Sequence, residues 1–229
     1  MGTTPVGMDS HARLPQCVSE LTDTEAIAAV LGGDRSSFAV LVRRHNQTMF
    51  RACRAVLRND HDAEDAVQVA WINAYRALAG FRADASFRTW ITRIAVNEAA
   101  SRLRNQKRFS EVSIEEVTMD ESIGPERAAM TEELGRLLER EIDALPEGMR
   151  AVLVLRDVIE LDTAETAECL GIAEENVRVR LHRARQTIAE HMSETTGELA
   201  GVAAPNVWRF DGARCARVLA HVMDKITAL

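Results

Sequence analysis

The strongest constraint on what this chain can fold into is a spacing. Phe38, Leu41, Val42, His45, Met49, Cys53, Val56 and Leu57 recur at intervals of three and four residues, the period that gathers side chains on one face of an α-helix. The same period returns in Val67, Ala70, Trp71, Ala74 and Leu78, in Phe87, Trp90, Ile91, Ile94 and Ala95, and in Met130, Leu134, Leu137, Leu138 and Ile142. No strand-like alternation is sustained, and no unit of about 20 to 50 residues repeats. The expected fold is all-α: two small helical domains joined by an acidic flexible linker, the second containing a helix-turn-helix.

Punctuation along the chain sets the elements. Asp62 can cap the helix that holds Asp65 in its first turn, and Gly80 ends that helix. Ser86 suits the N-cap of the next helix, whose polar face carries Arg93, Asn97, Ser101 and Arg104. Residues 105 to about 125 lose all apolar periodicity and close on Gly124-Pro125, as a linker does. A helix is predicted over Glu126–Ala144, with Pro146 in the first turn of a following one that buries Val152, Leu153, Leu155 and Val158. Asp162 with Glu165 forms a capping-box pattern opening Thr163–Leu170, and Gly171 can supply the left-handed residue that stops it. The division that follows is an N-terminal extension over 1–21, a first domain over 22–108, a linker over 109–125, a second domain over 126–192 and a C-terminal extension over 193–229. In that extension Gly197, Gly201 and Pro205 mark a linker. Trp208 and Phe210 then precede a stripe of Val218, Leu219, Val222, Met223 and Ile226, expected to pack on the second domain or to offer a partner helix a groove.

Charge is distributed unevenly. The net charge of -7 conceals a block at 34–108 with 14 Lys+Arg against 7 Asp+Glu, and a block at 109–147 with 3 against 12. A basic stretch beside an acidic one points to separate electrostatic tasks within one chain. Several function classes fall away. Aliphatic runs such as Ala151–Leu155 are far below the roughly 20 residues of a membrane span, and the first twenty residues lack the apolar core of a secretory signal, so a cytoplasmic protein is expected. Cys17, Cys53, Cys169 and Cys215 form no C-x-x-C pair, and Cys53 and Cys169 sit at apolar helix positions, where they read as small buried hydrophobes. His61 among Asp60, Asp62, Glu64 and Asp65 suggests a metal loop, but an EF-hand would need Gly at Asp65 and Glu at Trp71. Helix capping is the reading given to those acids. No nucleophile and base, phosphate-binding glycine loop or redox pair is recognisable, so no catalytic residue, metal or cofactor is expected and the chain is not read as an enzyme.

The motif that carries chemistry lies at Thr163–Val177. Ala167 is small where two helices would touch, Gly171 sits in the turn and Val177 anchors the second helix. From Asn176 to Gln186 that second helix carries Arg178, Arg180, His182, Arg183 and Arg185 with no acid. A helix fits the major groove, and arginine both reads guanine bidentately and neutralises phosphate.

With the first half included, the chain resembles the small two-domain bacterial RNA polymerase sigma factors of the extracytoplasmic-function, sigma-70 type. The resemblance runs over about residues 22–192. It rests on Asp62–Gln68, on Ala74–Leu78 with Phe81–Asn97, and on Val177–Arg185. It implies a promoter-specificity subunit whose partners are core RNA polymerase, promoter DNA both duplex and single-stranded, and an anti-sigma factor. Asp62, Asp65 and Gln68 would face the polymerase. Phe81, Phe87, Arg93, Asn97 and Arg104, with Lys107 and Arg108 extending the cationic track, would handle the minus-ten strand, one base of which is extruded into a pocket. Arg178, Val179, His182 and Arg183 would lie near bases of the minus-thirty-five element, with Arg180 and Arg185 nearer phosphates. The acidic linker would thread the polymerase cleft. Val69 and Glu160 depart from the pattern, standing where relatives often carry Glu and Gly; Glu174 and Glu175 would sit near phosphates. The alternative is a sigma-like mimic that binds an anti-sigma factor without initiating transcription.

Overall fold

A computed structural model describes residues 21–109, 126–192, 207–210 and 212–229. The N-terminal extension with Cys17, most of the acidic linker with Gly124-Pro125, and residues 193–206 and 211 lie outside the described residues, as do the side chains of Lys107, Arg108, Met130 and Leu134. Nine α-helices occur among the described residues: α1 (Asp23–Leu31), α2 (Phe38–Leu57), α3 (Asp60–Ala77), α4 (Phe87–Phe109), α5 (Glu126–Ala144), α6 (Glu147–Leu153), α7 (Thr163–Leu170), α8 (Glu174–Met192) and α9 (Gly212–Thr227).

Helices α2, α3 and α4 pack mutually into a first unit, with α1 laid on α2. Its centre is a polar contact inside an apolar shell. Trp71 is fully buried, and its indole N–H donates to the buried Asn46 Oδ1 at 3.0 Å. Phe38 meets the rings of Trp71 and Tyr75 edge-on at 5.5 and 5.1 Å, while Met49, Cys53, Ala70 and Ile91 close the core. A second unit forms where α6 and α7 pack on α8 through Val177, Leu181, Ala184 and Ile188.

Local signals placed several ends correctly. Ser86 Oγ accepts the Thr89 N–H at 3.1 Å, the Asp162–Glu165 capping box is complete, and Gly171 adopts φ 63°. Others moved. Asn59, in extended conformation, caps α3 and accepts the Asp62 N–H at 2.9 Å, so Asp62 is not the cap. Pro146 stands at the N-cap of α6 rather than in its first turn, and α6 passes into a π-turn at Val154–Val158 that leaves Val158 half-buried. Helix α1 has no counterpart in the periodicity reading. Its signal was nonetheless present, since Thr22 and Glu25 form the same reciprocal box seen at Asp162.

The C-terminal stripe is a correction. Val218, Val222 and Ile226 are fully buried, but α9 lies along α2 and α3 of the first unit, not on the second. The acid cluster at the start of α3 explains part of this choice. Asp60 and Glu64 pair with Arg214, and Glu64 also with Arg217, so these acids serve α9 as well as their own helix terminus. Among the described residues no group of His, Cys, Asp and Glu is placed to hold a metal, and no helix is long and apolar enough to cross a membrane. Cys53 and Cys169 are buried as expected. Burial pushes the Cys53 thiol far above its usual range and the Cys169 thiol up to about 12.

Two outcomes follow for stability. Trp71→Phe removes the donor to Asn46 and leaves a buried carbonyl oxygen unpaired, a loss of about 2 to 3 kcal/mol that a urea denaturation midpoint will register. His45 is held below its usual pKa, chiefly by burial against a partial opposing effect of Asp23, whose Oδ2 it meets at 2.8 Å. The unfolded chain therefore binds this proton first. The neutral ring's contribution is fully present above about pH 6.5 and is lost as pH falls from there towards the lower folded-state value. Between pH 7.5 and 5.5 the midpoint should fall for the wild type and fall less for His45→Gln.

Candidate nucleic-acid interface

The first surface is built on the loop before α4 and on α4 itself. Ser86 starts the helix, and Phe81, Phe87 and Trp90 form an aromatic cluster with ring centres 5.2 to 5.6 Å apart. Phe87 is buried, with its other side against His45, so its role is to hold the half-buried Phe81 and Trp90 in place. Those two rings, Ala83 with φ 57°, Thr89 and Arg93 line a cavity of about 150 Å³. Flat aromatic faces beside a guanidinium suit a stacked base and a backbone phosphate. Along α4 the residues Arg93, Asn97 and Arg104 share one face, with Asn97 and Arg104 exposed. Trp90, read from the sequence as packing, is a cavity wall.

Glu168 of the second unit also lines this cavity and pairs with Arg93. The contact belongs to a seam between the units. Thr89 Oγ1 donates to Glu165 Oε1 at 2.5 Å, Arg88 donates to the Glu160 carbonyl at 3.1 Å, and the Cys169 thiol reaches the Thr89 carbonyl at 3.7 Å. Further along, Arg54 grips Asp143 with two hydrogen bonds of 2.7 and 2.8 Å and Asp60 with one of 2.6 Å. Burial opposes its charge, yet the bonds to Asp143 and Asp60 outweigh burial and raise its pKa. Arg150 is nearly inaccessible and donates to the carbonyls of Ala55, Val56 and Leu145. Burial, with Arg58 nearby, pushes it down to about 10, so it stays charged at neutral pH.

The second surface is the outer face of α8. Arg178, Val179, His182 and Arg183 are exposed there together, because Val177, Leu181 and Ala184 turn inward one residue out of phase. Arg178 is held by Glu174 at 2.6 Å and Glu175 at 3.4 Å, so the two acids expected near phosphates act first on an arginine of their own helix. Arg185 is bidentate to Asp157 and its pKa is raised by those bonds. Arg180 is half-buried and lies so close to Gly148 that a Cβ there would stand 2.9 Å from its guanidinium. These two arginines brace α8 against its own unit, a use the sequence did not reveal. On α3, Asp62 accepts from Gln106 at 3.0 Å, Asp65 lies 3.8 Å from His61, and Gln68 is half-buried.

The two surfaces lie in segments that match known families. Residues 41–109 match the model of sigma-70 region 2 and residues 135–188 that of sigma-70 region 4. The ECF RNA polymerase sigma factor SigM of Mycobacterium tuberculosis is 36% identical over 172 residues, spanning 74% of this chain and 84% of that protein. The ECF sigma-E factor of Escherichia coli is 36% identical over 179 residues (74% and 93%), and SigW of Bacillus subtilis 32% over 185 residues (76% and 99%). Among solved structures, CnrH in complex with the cytosolic domain of CnrY aligns at TM-score 0.53 and 28% identity, covering 75% of this chain and 97% of that one. The fold is also shared with the sigma factor RpoE, solved with the anti-sigma factor NepR from Bartonella quintana, at TM-score 0.54 and 20% identity over 69% and 95% of the two chains.

Glu160 has φ 62° while its carbonyl receives Arg88. A side chain in this left-handed region costs about 1 to 2 kcal/mol, partly offset in glycine by greater unfolded-state freedom. Glu160→Gly should therefore stabilise the chain by about 0.5 to 1 kcal/mol, read as a rise in thermal midpoint.

Proposed function

Because this chain belongs to the sigma-70 family as an extracytoplasmic-function RNA polymerase sigma factor, we propose that its two surfaces read the two elements of a promoter. The chain directs core RNA polymerase to promoters and starts transcription; it carries out no bond chemistry itself and works where polymerase and DNA are, in the cytoplasm. The observation that carries the residue-level reading is the coincidence of family regions with exposed side chains. Asn97 and Arg104 are exposed on the face of α4 that starts at Arg93, a wall of the aromatic cavity, and Arg178, Val179, His182 and Arg183 stand together on α8.

In this reading the cavity of Phe81 and Trp90 receives one extruded base of the minus-ten strand, Phe87 supports it from beneath, and Arg93, Asn97 and Arg104 track the strand. The face of α8 enters the major groove at the minus-thirty-five element. Arg180 and Arg185 fix the pitch of that helix. Asp62, Asp65 and Gln68 on α3 meet the polymerase. An anti-sigma partner is part of the proposal, since relatives of this fold are solved with protein partners bound. Domain limits of 22–108 and 126–192 accompany it.

The geometry adds a requirement. Elements named minus-ten and minus-thirty-five are some 25 base pairs apart, roughly 85 Å of duplex at about 3.4 Å per pair. Surfaces joined by a hydrogen bond from Thr89 to Glu165 cannot reach both, so the seam must open before promoter reading. At the α7 end of the seam, Glu165 occupies the Thr89 hydroxyl and Glu168 the Arg93 guanidinium, both on the strand-handling helix.

Run-off transcription with purified core polymerase and a library of promoters tests the reading. Arg178→Ala/Arg183→Ala should lower output at the preferred promoter by about 10- to 100-fold and flatten sequence preference at minus thirty-five, as the loss of contacts worth about 1 to 3 kcal/mol each requires. Asn97→Ala should lower open-complex formation by at least about tenfold, a scale set by one lost base contact. A wild type that bound core polymerase yet started no transcript from any promoter would replace this reading by the mimic.

A further inference from the structure

The C-terminal segment beyond both family matches does more than cover apolar surface. Trp208 stands on the seam between the units. Its N–H donates to Glu139 Oε1 of α5 at 2.6 Å, its carbonyl accepts from Gln47 of α2 at 2.8 Å, and the Arg54 guanidinium lies 4.8 Å over its ring. That guanidinium is the one that grips Asp143 of α5. One residue thus adds a further link between α2 and α5 beside the Arg54–Asp143 pair, at the end of the seam where Arg150 of α6 also bonds the last carbonyls of α2. From there the segment is anchored on the first unit. Phe210 stacks on Phe50 at 4.5 Å, Asn46 donates to the Cys215 thiol, Arg214 and Arg217 reach Asp60 and Glu64, and Arg35 donates to the carbonyls of Ile226 and Thr227 at the end of α9.

Trp208 is also where the segment is under stress. Its φ is 45°, a left-handed backbone that a bulky side chain rarely adopts, and its indole N–H is buried with no partner among the described residues. Strain of this kind persists only where the surroundings over-determine it. A segment strained and unsatisfied at the point where it crosses the seam, and well paired elsewhere, has the character of a releasable fastening.

We propose that residues 207–210 and α9 form an autoinhibitory strap: seated on α2 and α3, they hold the helix-turn-helix unit shut against α4, and release of Trp208 from α5 frees the chain to engage core polymerase and promoter. The strap acts on two places at once. At Trp208 it secures the closed seam in which Glu168 pairs with Arg93 and walls one side of the aromatic cavity. At Arg214 and Arg217 it neutralises acids in the first turns of α3, next to Asp62 and Asp65. This inference rests on the proposed promoter-reading roles only for its consequence, not for the closure itself.

The test compares the full chain with Arg214→Glu/Arg217→Glu, with Trp208→Ala and with a chain ending at residue 206. Small-angle X-ray scattering of each protein alone reports closure, and equilibrium binding to core polymerase reports its consequence. The strap predicts a larger radius of gyration for all three variants and about tenfold tighter core binding, the gain expected when a closed state favoured about ten to one is removed. A peptide of residues 207–229 added to the shortened chain should restore the smaller radius and the weaker binding, and the same peptide with both arginines changed to Glu should not. If the variants keep wild-type helicity, radius and core affinity, the strap is only structural and the proposal is overturned. Should the shortened chain fail to fold, the two full-length variants decide alone. Expansion with no core binding by any protein would uphold the strap and sink the promoter-reading roles.

Discussion

A helix end buried in protein must find partners for its last carbonyls, and the C-terminus of α2 is buried. Arg58, in left-handed conformation, returns its N–H to the Arg54 carbonyl, and Arg150 from the second unit supplies the carbonyls of Ala55 and Val56. A cation at this end of a helix is also favoured by the peptide dipoles. The arrangement makes the second unit part of the first unit's hydrogen bonding. With Arg150 seated, Asp143 falls on Arg54, and α7 falls on α4.

The charges at this seam have a double use. Arg93 and its neighbours on α4 are the groups proposed to track a nucleic acid strand, and in the closed arrangement Glu168, Glu165 and the Glu160 carbonyl engage Arg93, Thr89 and Arg88. The basic block and the acidic residues of one chain thus pair with each other in the absence of DNA. Each exchange of a carboxylate for a phosphate changes little in local electrostatics, which is how such a seam can be closed firmly and still give way. Arg54 and Arg150 differ in kind. They are buried, and opening around them requires water to replace carboxylates and carbonyls together.

Much of the proposed DNA-facing surface was legible because helical phase is local. Val177, Leu181 and Ala184 had to face inward, so Arg178, Val179, His182 and Arg183 had to face out. The same logic failed where a side chain bends back on its own unit. Arg180 and Arg185 flank the outward face, where they were expected nearer phosphates, but Gly148 and Asp157, about 30 residues earlier in the chain, take them. Phe87 and Trp90 exchanged roles for a related reason: periodicity says that both are inward, and only the packing of α4 against His45 decides which ring is beneath and which lines a cavity.

Caps, turns and periodic faces involve residues three to seven positions apart, so the sequence by itself determined that the chain is helical, that Ser86 and Asp162 open helices, that Gly171 turns, and that one face of α8 is cationic. The seam between Thr89 and Glu165, 76 residues apart, and the seat of α9 on α3, with Arg214 and Asp60 separated by 154, belong to the tertiary structure alone. No local pattern distinguishes an apolar stripe that covers the first unit from one that covers the second. The choice was made by where the acids of α3, the ring of Phe50 and the edge of α5 come together in space.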